Sequence, residues 1–255
     1  MKLFFLGTCA GTEPMPDRKH ASFALEAGSN IYWFDAGEGC SFTAHNLGID
    51  VLRVKKIVIS HPHIDHTGGL ANLIWNIRKM YWVKKKETTE DVDIYLPERS
   101  LWDGIMTLLR CSEGRFSLED RLHVCQIRDG LLFDDGAVRT QALHNLHIPV
   151  QAEPWRSFSF LIEAEGKRLV YSGDVKSYSE LDPLIGDGCD GLILETGHFS
   201  IDDAFSYTRE KKIGKIYFTH NGREILNHPE ASEQKVKALF GEKAVICFDG
   251  MCEIL

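Results

Sequence analysis

Lys56-Ile57-Val58-Ile59-Ser60-His61-Pro62-His63-Ile64-Asp65-His66 sets three histidines and an aspartate within six residues, directly behind a run that reads as a buried strand. Neutral imidazoles and a carboxylate are the ligands that a borderline-soft divalent ion such as zinc prefers. Gathering four such groups at a strand end without a cation would cost desolvation and return little. The stretch therefore predicts a metal site, in preference to a polar loop that happens to be rich in histidine.

The 255 residues around it are 44% hydrophobic and 26% charged, which suits one sizeable core and a single domain over residues 1–255. A formal net charge of −8 argues against a general polyanion binder, because phosphate contacts need clustered Lys and Arg. Arg78-Lys79 and Lys84-Lys85-Lys86 are the candidates for a local basic patch, and a solvated helix end accounts for them more simply. Seven cysteines, odd in number and with no Cys-x-x-Cys pair, favour a reducing compartment. The opening apolar run is too short for a signal segment, and no stretch reaches the length of a membrane-spanning helix. A cytoplasmic protein with no membrane partner is the expectation.

Periodicity and turn signals predict strands at 2–6, 22–27, 31–35, 56–60, 92–96, 122–127, 138–143, 158–163, 167–172, 191–194, 215–219 and 244–248. Helices are expected at 40–47, 101–110, 202–211 and 229–240, with one more between Asp174 and the strand at 191. Residues 84–91 read as a charged linker. Leu70, Leu73, Ile74, Ile77 and Tyr81 recur at three- and four-residue spacing and predict a helix that opens after Gly68-Gly69. Trp75 and Trp82 fall off that stripe, as pocket-wall or helix-packing residues.

His-x-His-x-Asp-His after a hydrophobic strand is the signature of the metallo-β-lactamase superfamily, which this chain resembles along nearly its whole length. Phe5-Leu6-Gly7-Thr8-Cys9-Ala10-Gly11, Pro16-Asp17-Arg18 and Trp33-Phe34-Asp35-Ala36-Gly37-Glu38-Gly39 are similar, in order and spacing, to the phosphodiesterase branch that includes ribonuclease Z. The resemblance implies an α/β fold, the four-layer αβ/βα sandwich, with one or two metal ions at the edge between two sheets. Further ligands should then stand at the ends of later strands. Asp174, behind Leu169-Val170-Tyr171, matches the family's bridging aspartate, although a lone Gly-Asp more often marks a turn. His220, behind Ile216-Tyr217-Phe218-Thr219, matches its last ligand. Of His144 and His147, the latter is favoured because Asn145-Leu146-His147 looks like the Asn-x-His form of the remaining motif.

On this resemblance His61, His63 and His147 would hold one ion, Asp65, His66 and His220 the other, and Asp174 would bridge them. Zinc is the first expectation, with manganese or iron as alternatives. A water shared by two cations has its pKa lowered from about 15.7 to about 7, so hydroxide is present at neutral pH. Asp65 would also align that hydroxide. His198, three residues after Glu195, sits where ribonuclease Z relatives keep a supporting Glu, so both are catalytic candidates, with His198 as the leaving-group acid. Helix capping and packing are the alternative for this pair. Arg18 and Arg223 are candidate phosphate contacts, with surface ion pairing as the equal alternative for Arg223, and residues 7–11 would form a loop beside the metals. His20, His45, His123 and His228 show no ligand context.

These residues together point to a metal-dependent hydrolase acting through a bridging hydroxide, on a phosphodiester in a small molecule or short nucleotide. The acidic balance and the lack of a Gly-Pro-rich arm between 84 and 115 argue against tRNA as a partner. A thioester or lactone hydrolase is the alternative, favoured by an aromatic pocket of Trp75, Tyr81, Trp82 and Trp155, where inward-pointing Arg18 and Arg223 would favour phosphate. An iron-dependent oxidoreductase on the same fold is another, and a non-catalytic metal module is disfavoured because every expected ligand position is filled. Dimers are common among relatives, so a homodimer is also expected from the resemblance.

Overall fold

The computed structural model describes residues 1–84, 91–113 and 118–255. Most of the predicted charged linker, part of the 84–115 stretch and Lys85-Lys86 lie outside the described residues. In chain order the elements are β1 (Lys2–Gly7), β2 (Ser22–Ala27), β3 (Asn30–Phe34), α1 (Cys40–Asn46), β4 (Val54–Val58), α2 (Ile64–Thr67), α3 (Leu70–Val83), β5 (Val92–Leu96), α4 (Arg99–Glu113) and β6 (Leu122–Gln126). They continue with β7 (Gly130–Asp134), β8 (Val138–His144), β9 (Phe158–Ala164), β10 (Lys167–Tyr171), α5 (Asp182–Ile185), β11 (Cys189–Thr196) and α6 (Ile201–Thr208). The last are β12 (Ile213–Asn221), α7 (Arg223–Asn227), α8 (Pro229–Phe240), β13 (Ala244–Ile246) and β14 (Cys252–Ile254).

Two compact units share this chain. The first comprises Met1–Gly7, Lys19–Ile127 and Asp249–Leu255, the second Thr8–Arg18 and Arg128–Phe248. The first unit's sheet has the order β14-β1-β2-β3-β4-β5-β6 and is antiparallel up to β3, then parallel from β3 to β6. In the second unit, β7 to β10 form an antiparallel meander and β10 to β13 run parallel. In the second sheet the parallel strands β11 and β12 carry the buried runs Leu192–Leu194 and Ile216–Phe218, as strands covered on both faces do.

Local chemistry accounts for these elements. Phe23 and Phe34 are register partners in β2 and β3, and their rings stack at 4.9 Å. Lys56, an unexpected cation within β4, is 5% exposed and reaches Asp93 of β5 at 2.6 Å, so its charge is paired. Glu165 and Gly166 both have positive φ, the condition for the two-residue turn between β9 and β10. Ser200 and Asp203 form a reciprocal capping box that starts α6. Helices α1, α3 and α4 build the first core around Ile57 and Ile94. The second is built by α5, α6 and α8 around Leu192 and Ile216.

The predicted strands and longer helices are present with shifted ends, and two strands went unpredicted. β14 is three residues long and finds its place by pairing with β1. β7 is five residues long and carries Leu131-Leu132-Phe133 in a row without alternation, with Leu131 58% exposed. All seven cysteines are free thiols. Among the described residues no helix is long and apolar enough to cross a membrane.

Leu192 is fully buried at the centre of the second core. Leu192→Ala is expected to cost about 2–5 kcal/mol, read as a lower urea midpoint at unchanged slope. A loss below about 1 kcal/mol would place the centre of that core elsewhere.

Candidate metal centre

Each unit carries a cluster of His and carboxylate groups beyond the C-terminal ends of its parallel strands, the edge where open α/β sheets place ligands. In the first unit, β3 and β4 run parallel, so the residues after Phe34 and Val58 emerge side by side. Asp35 emerges from β3 with φ 52° and is fully buried. Its carboxylate accepts hydrogen bonds from the Ser60 backbone N–H at 2.6 Å, the Ser60 hydroxyl at 2.8 Å and His66 Nδ1 at 2.7 Å. Three donors compensate the buried charge.

The consequence is a set of fixed tautomers. Donation from His66 Nδ1 to Asp35 leaves Nε2 as the ligating atom, 3.5 Å from Asp65 Oδ2. With the Ser60 hydroxyl hydrogen directed at Asp35, Ser60 Oγ accepts from His61 Nδ1 at 3.0 Å, which leaves His61 Nε2 as an acceptor. That atom lies 3.1 Å from His63 Nδ1. Two nitrogens bound tetrahedrally to one zinc at about 2.05 Å stand about 3.3 Å apart, so this spacing fits a shared cation. The four-residue α2 presents Asp65 and His66, while Ala36 N donates to His66 O at 2.7 Å and ties the β3 end to that helix.

The second unit repeats the device with Glu195 at the end of β11. This fully buried carboxylate accepts from Val175 N at 2.9 Å, His198 N at 3.1 Å and His198 Nδ1 at 2.8 Å. His220 Nδ1 is 3.6 Å from its Oε2. Burial and the charge of Asp174 push Glu195 upward, but hydrogen bonds from His198 and His220 outweigh them and hold its pKa below the usual carboxylate value. The same hydrogen bond raises the pKa of His198 against the opposing effect of burial.

Asp174, 2% exposed, stands at the centre of this cluster. Its Oδ2 lies 3.6 Å from His147 Nε2, 3.4 Å from His220 Nε2 and 3.8 Å from His198 Nδ1. Ligand atoms of Asp174, Glu195, His198 and His220 all fall within 4.8 Å of one another. A Cβ on Gly197 would overlap the His220 imidazole, so that position needs glycine. His147, not His144, is the histidine beside Asp174. His144 instead gives its backbone N–H and Nδ1 to Asp129, each at 2.6 Å, and stacks on Trp155 at 3.9 Å.

The two arginines have protein partners. Arg18 donates to Thr8 Oγ1 and to the Cys247 carbonyl, both at 2.7 Å. Arg223 forms an exposed fork with Glu13 at 3.0 and 2.6 Å, whose hydrogen bonds lower the Glu13 pKa to about 2. The 7–11 stretch pairs with the end of β12 through Asn221 N to Thr8 O at 2.7 Å and Ala10 N to Asn221 O at 3.1 Å, next to His220. Of the remaining histidines, His20 lies 3.8 Å from Glu38 and His123 3.4 Å from Asp91. Asp35, Ser60 and the Ser172 hydroxyl that accepts from Glu195 N were not singled out as functional by sequence. The signal for Asp35 was a lone carboxylate closing a wholly apolar strand.

A family model described as "Anti-Pycsar protein Apyc1" matches residues 1–220. An anti-Pycsar protein Apyc1 from Bacillus phage vB_BsuM-Goe3 is 27% identical over 246 residues, 88% of this chain and 90% of that protein. Ribonuclease Z from Pyrococcus furiosus is 38% identical over 100 residues, 39% of this chain. The chain spans 30% of that protein's length and 45% of a second archaeal ribonuclease Z. Among solved structures, the metallo-β-lactamase fold protein YhfI from Bacillus subtilis superposes with a TM-score of 0.73 at 16% identity, covering 99% of each chain. That likeness is one of fold, and it gives the α/β, metallo-β-lactamase architecture that the resemblance implied.

Asp35→Asn keeps the shape but cannot accept from both Ser60 and His66. Zinc affinity is expected to fall about 10- to 100-fold while far-UV circular dichroism stays native. Unchanged affinity in a zinc-competition titration would show that Asp35 does not orient the imidazoles.

Proposed function

The chain belongs to the anti-Pycsar protein Apyc1 family, and on that footing we propose that it is a metal-dependent hydrolase of small phosphodiesters, a cyclic nucleotide being the best-fitting class. An anti-Pycsar role comes to this chain with the family. The observation that carries the reading is the donor chemistry: in each unit, buried carboxylates fix the tautomers or positions of imidazoles at strand ends, an arrangement with little use except toward a cation.

The residues that would hold metal are His61, His63, Asp65 and His66 of the first unit and His147, Asp174 and His220 of the second. Two divalent cations bound there supply Lewis acidity toward a phosphoryl oxygen and lower the pKa of water to about 7. Asp65 aligns the attacking oxygen. His198, exposed and held through Nδ1 by Glu195, is placed to protonate the leaving oxygen from Nε2, and the Glu195 hydrogen bond that holds it raises its pKa. Glu195 orients the ring and stabilises its protonated form. The formal net charge of −8 disfavours long-range attraction of tRNA, and a small substrate needs none.

No observation favours the acyl-hydrolase alternative. Lys79 lies over the Trp75 ring and Arg78 over the exposed Trp82, while Trp155 is stacked on His144.

Zinc- or manganese-loaded protein is expected to hydrolyse bis(p-nitrophenyl) phosphate and to stop when chelated. His198→Ala should lower kcat about 10²- to 10⁴-fold with metal content retained. Absence of turnover with every metal would remove the phosphodiesterase reading, and parallel loss of metal would make His198 structural.

A further inference from the structure

The loop that carries His147 leaves the sheet at His144, so its backbone N–H groups must find other acceptors. Each of the five from His144 to Ile148 has one. His144 N donates to Asp129 and Asn145 N to the Ser157 carbonyl at 3.0 Å. His147 N donates to Asn145 Oδ1 at 3.1 Å and Ile148 N to Ser157 Oγ at 3.1 Å. Leu146 N, next to His147, donates to Glu180 Oε1 at 2.8 Å.

Glu180 comes from the other side. It lies on the single 3₁₀ turn Tyr178–Leu181, just past Asp174. Its second oxygen, Oε2, accepts from Lys176 N at 2.9 Å and Ser177 N at 3.1 Å, the two residues that follow Val175. One carboxylate therefore grips the His147 loop with one oxygen and the Asp174 turn with the other. A second, indirect route between the two segments runs through neutral groups: Asn145 Nδ2 donates to Ser159 Oγ at 3.0 Å, and Ser159 Oγ donates to the Ser172 carbonyl at 2.5 Å.

The structure assigns to Glu180 the part of a positioning residue that sets the spacing of His147 and Asp174 for a shared cation. This rests on the reading that those two residues are ligands. Capping of the 3₁₀ turn is the ordinary use of a Glu at this position, and Ser177 supplies the reciprocal half of that box. The two uses separate cleanly, because the Ser177 hydroxyl bonds within its own turn, to Ser179 N at 3.3 Å and Ser179 Oγ at 2.8 Å.

Glu180→Ala, Glu180→Gln and Ser177→Ala are compared by zinc competition against a chromogenic chelator, with thermal unfolding as the check on folding. Both Glu180 variants should weaken zinc about 10- to 100-fold, as loss of an outer partner does. The amide of Gln has one acceptor oxygen and cannot serve both segments, so it gives no rescue, and it carries the test should the Ala variant not fold. Ser177→Ala should leave zinc affinity unchanged. Wild-type affinity in the Glu180 variants, or an equal loss in Ser177→Ala, overturns the assignment. If the Glu180 variants lose zinc affinity as expected while zinc-loaded wild-type protein hydrolyses no phosphodiester, the functional reading alone is overturned.

Discussion

A carboxylate that is fully buried must be compensated, and this requirement organises the cluster in each unit. Asp35 and Glu195 are each 0% exposed, each just beyond or at the end of a parallel strand. Each is held by backbone N–H groups on one side and an imidazole N–H on the other. The backbone bonds fix the carboxylate and the carboxylate fixes the ring; at His66 the second nitrogen is left as a lone-pair donor, and at His198 the bond holds the ring that is proposed as the acid. Without the parallel strands neither carboxylate would meet the neighbouring strand's residues. Without the carboxylates the imidazoles would be free to choose tautomers that donate where a cation needs a ligand.

This dependence explains which parts of the molecule were legible in the sequence. The His61–His66 motif reads directly because its donors are contiguous and the strand before it is wholly apolar. Asp174 and His220 were recognisable by the same grammar, a polar ligand type closing an apolar strand. Asp35 obeys that grammar too, but a single Asp after a strand is also an ordinary turn former, and its partners lie 25 and 31 residues away. The choice between His144 and His147 had the same difficulty. Asp129, fifteen residues upstream, and Trp155, beyond the next loop, engage His144, and nothing local announces either contact.

Short edge strands and long-range ion pairs were the other illegible features. Three residues of β14 cannot show a period, and the consecutive Leu131-Leu132-Phe133 of β7 show no alternation. Arg223 pairs with a glutamate 210 positions away, a contact that only folding reveals. The functional assignment follows a similar gradient. Family and fold rest on matches spanning most of the chain, whereas the substrate class rests on charge balance and on the chemistry of the proposed centre.

The central claim is that these donors exist to hold transition-metal ions. Elemental analysis of protein purified without chelator tests it most directly. The account predicts stoichiometric zinc, manganese or iron, two ions per chain at full loading. Protein that carries none, and takes up none on dialysis against each metal, would contradict it.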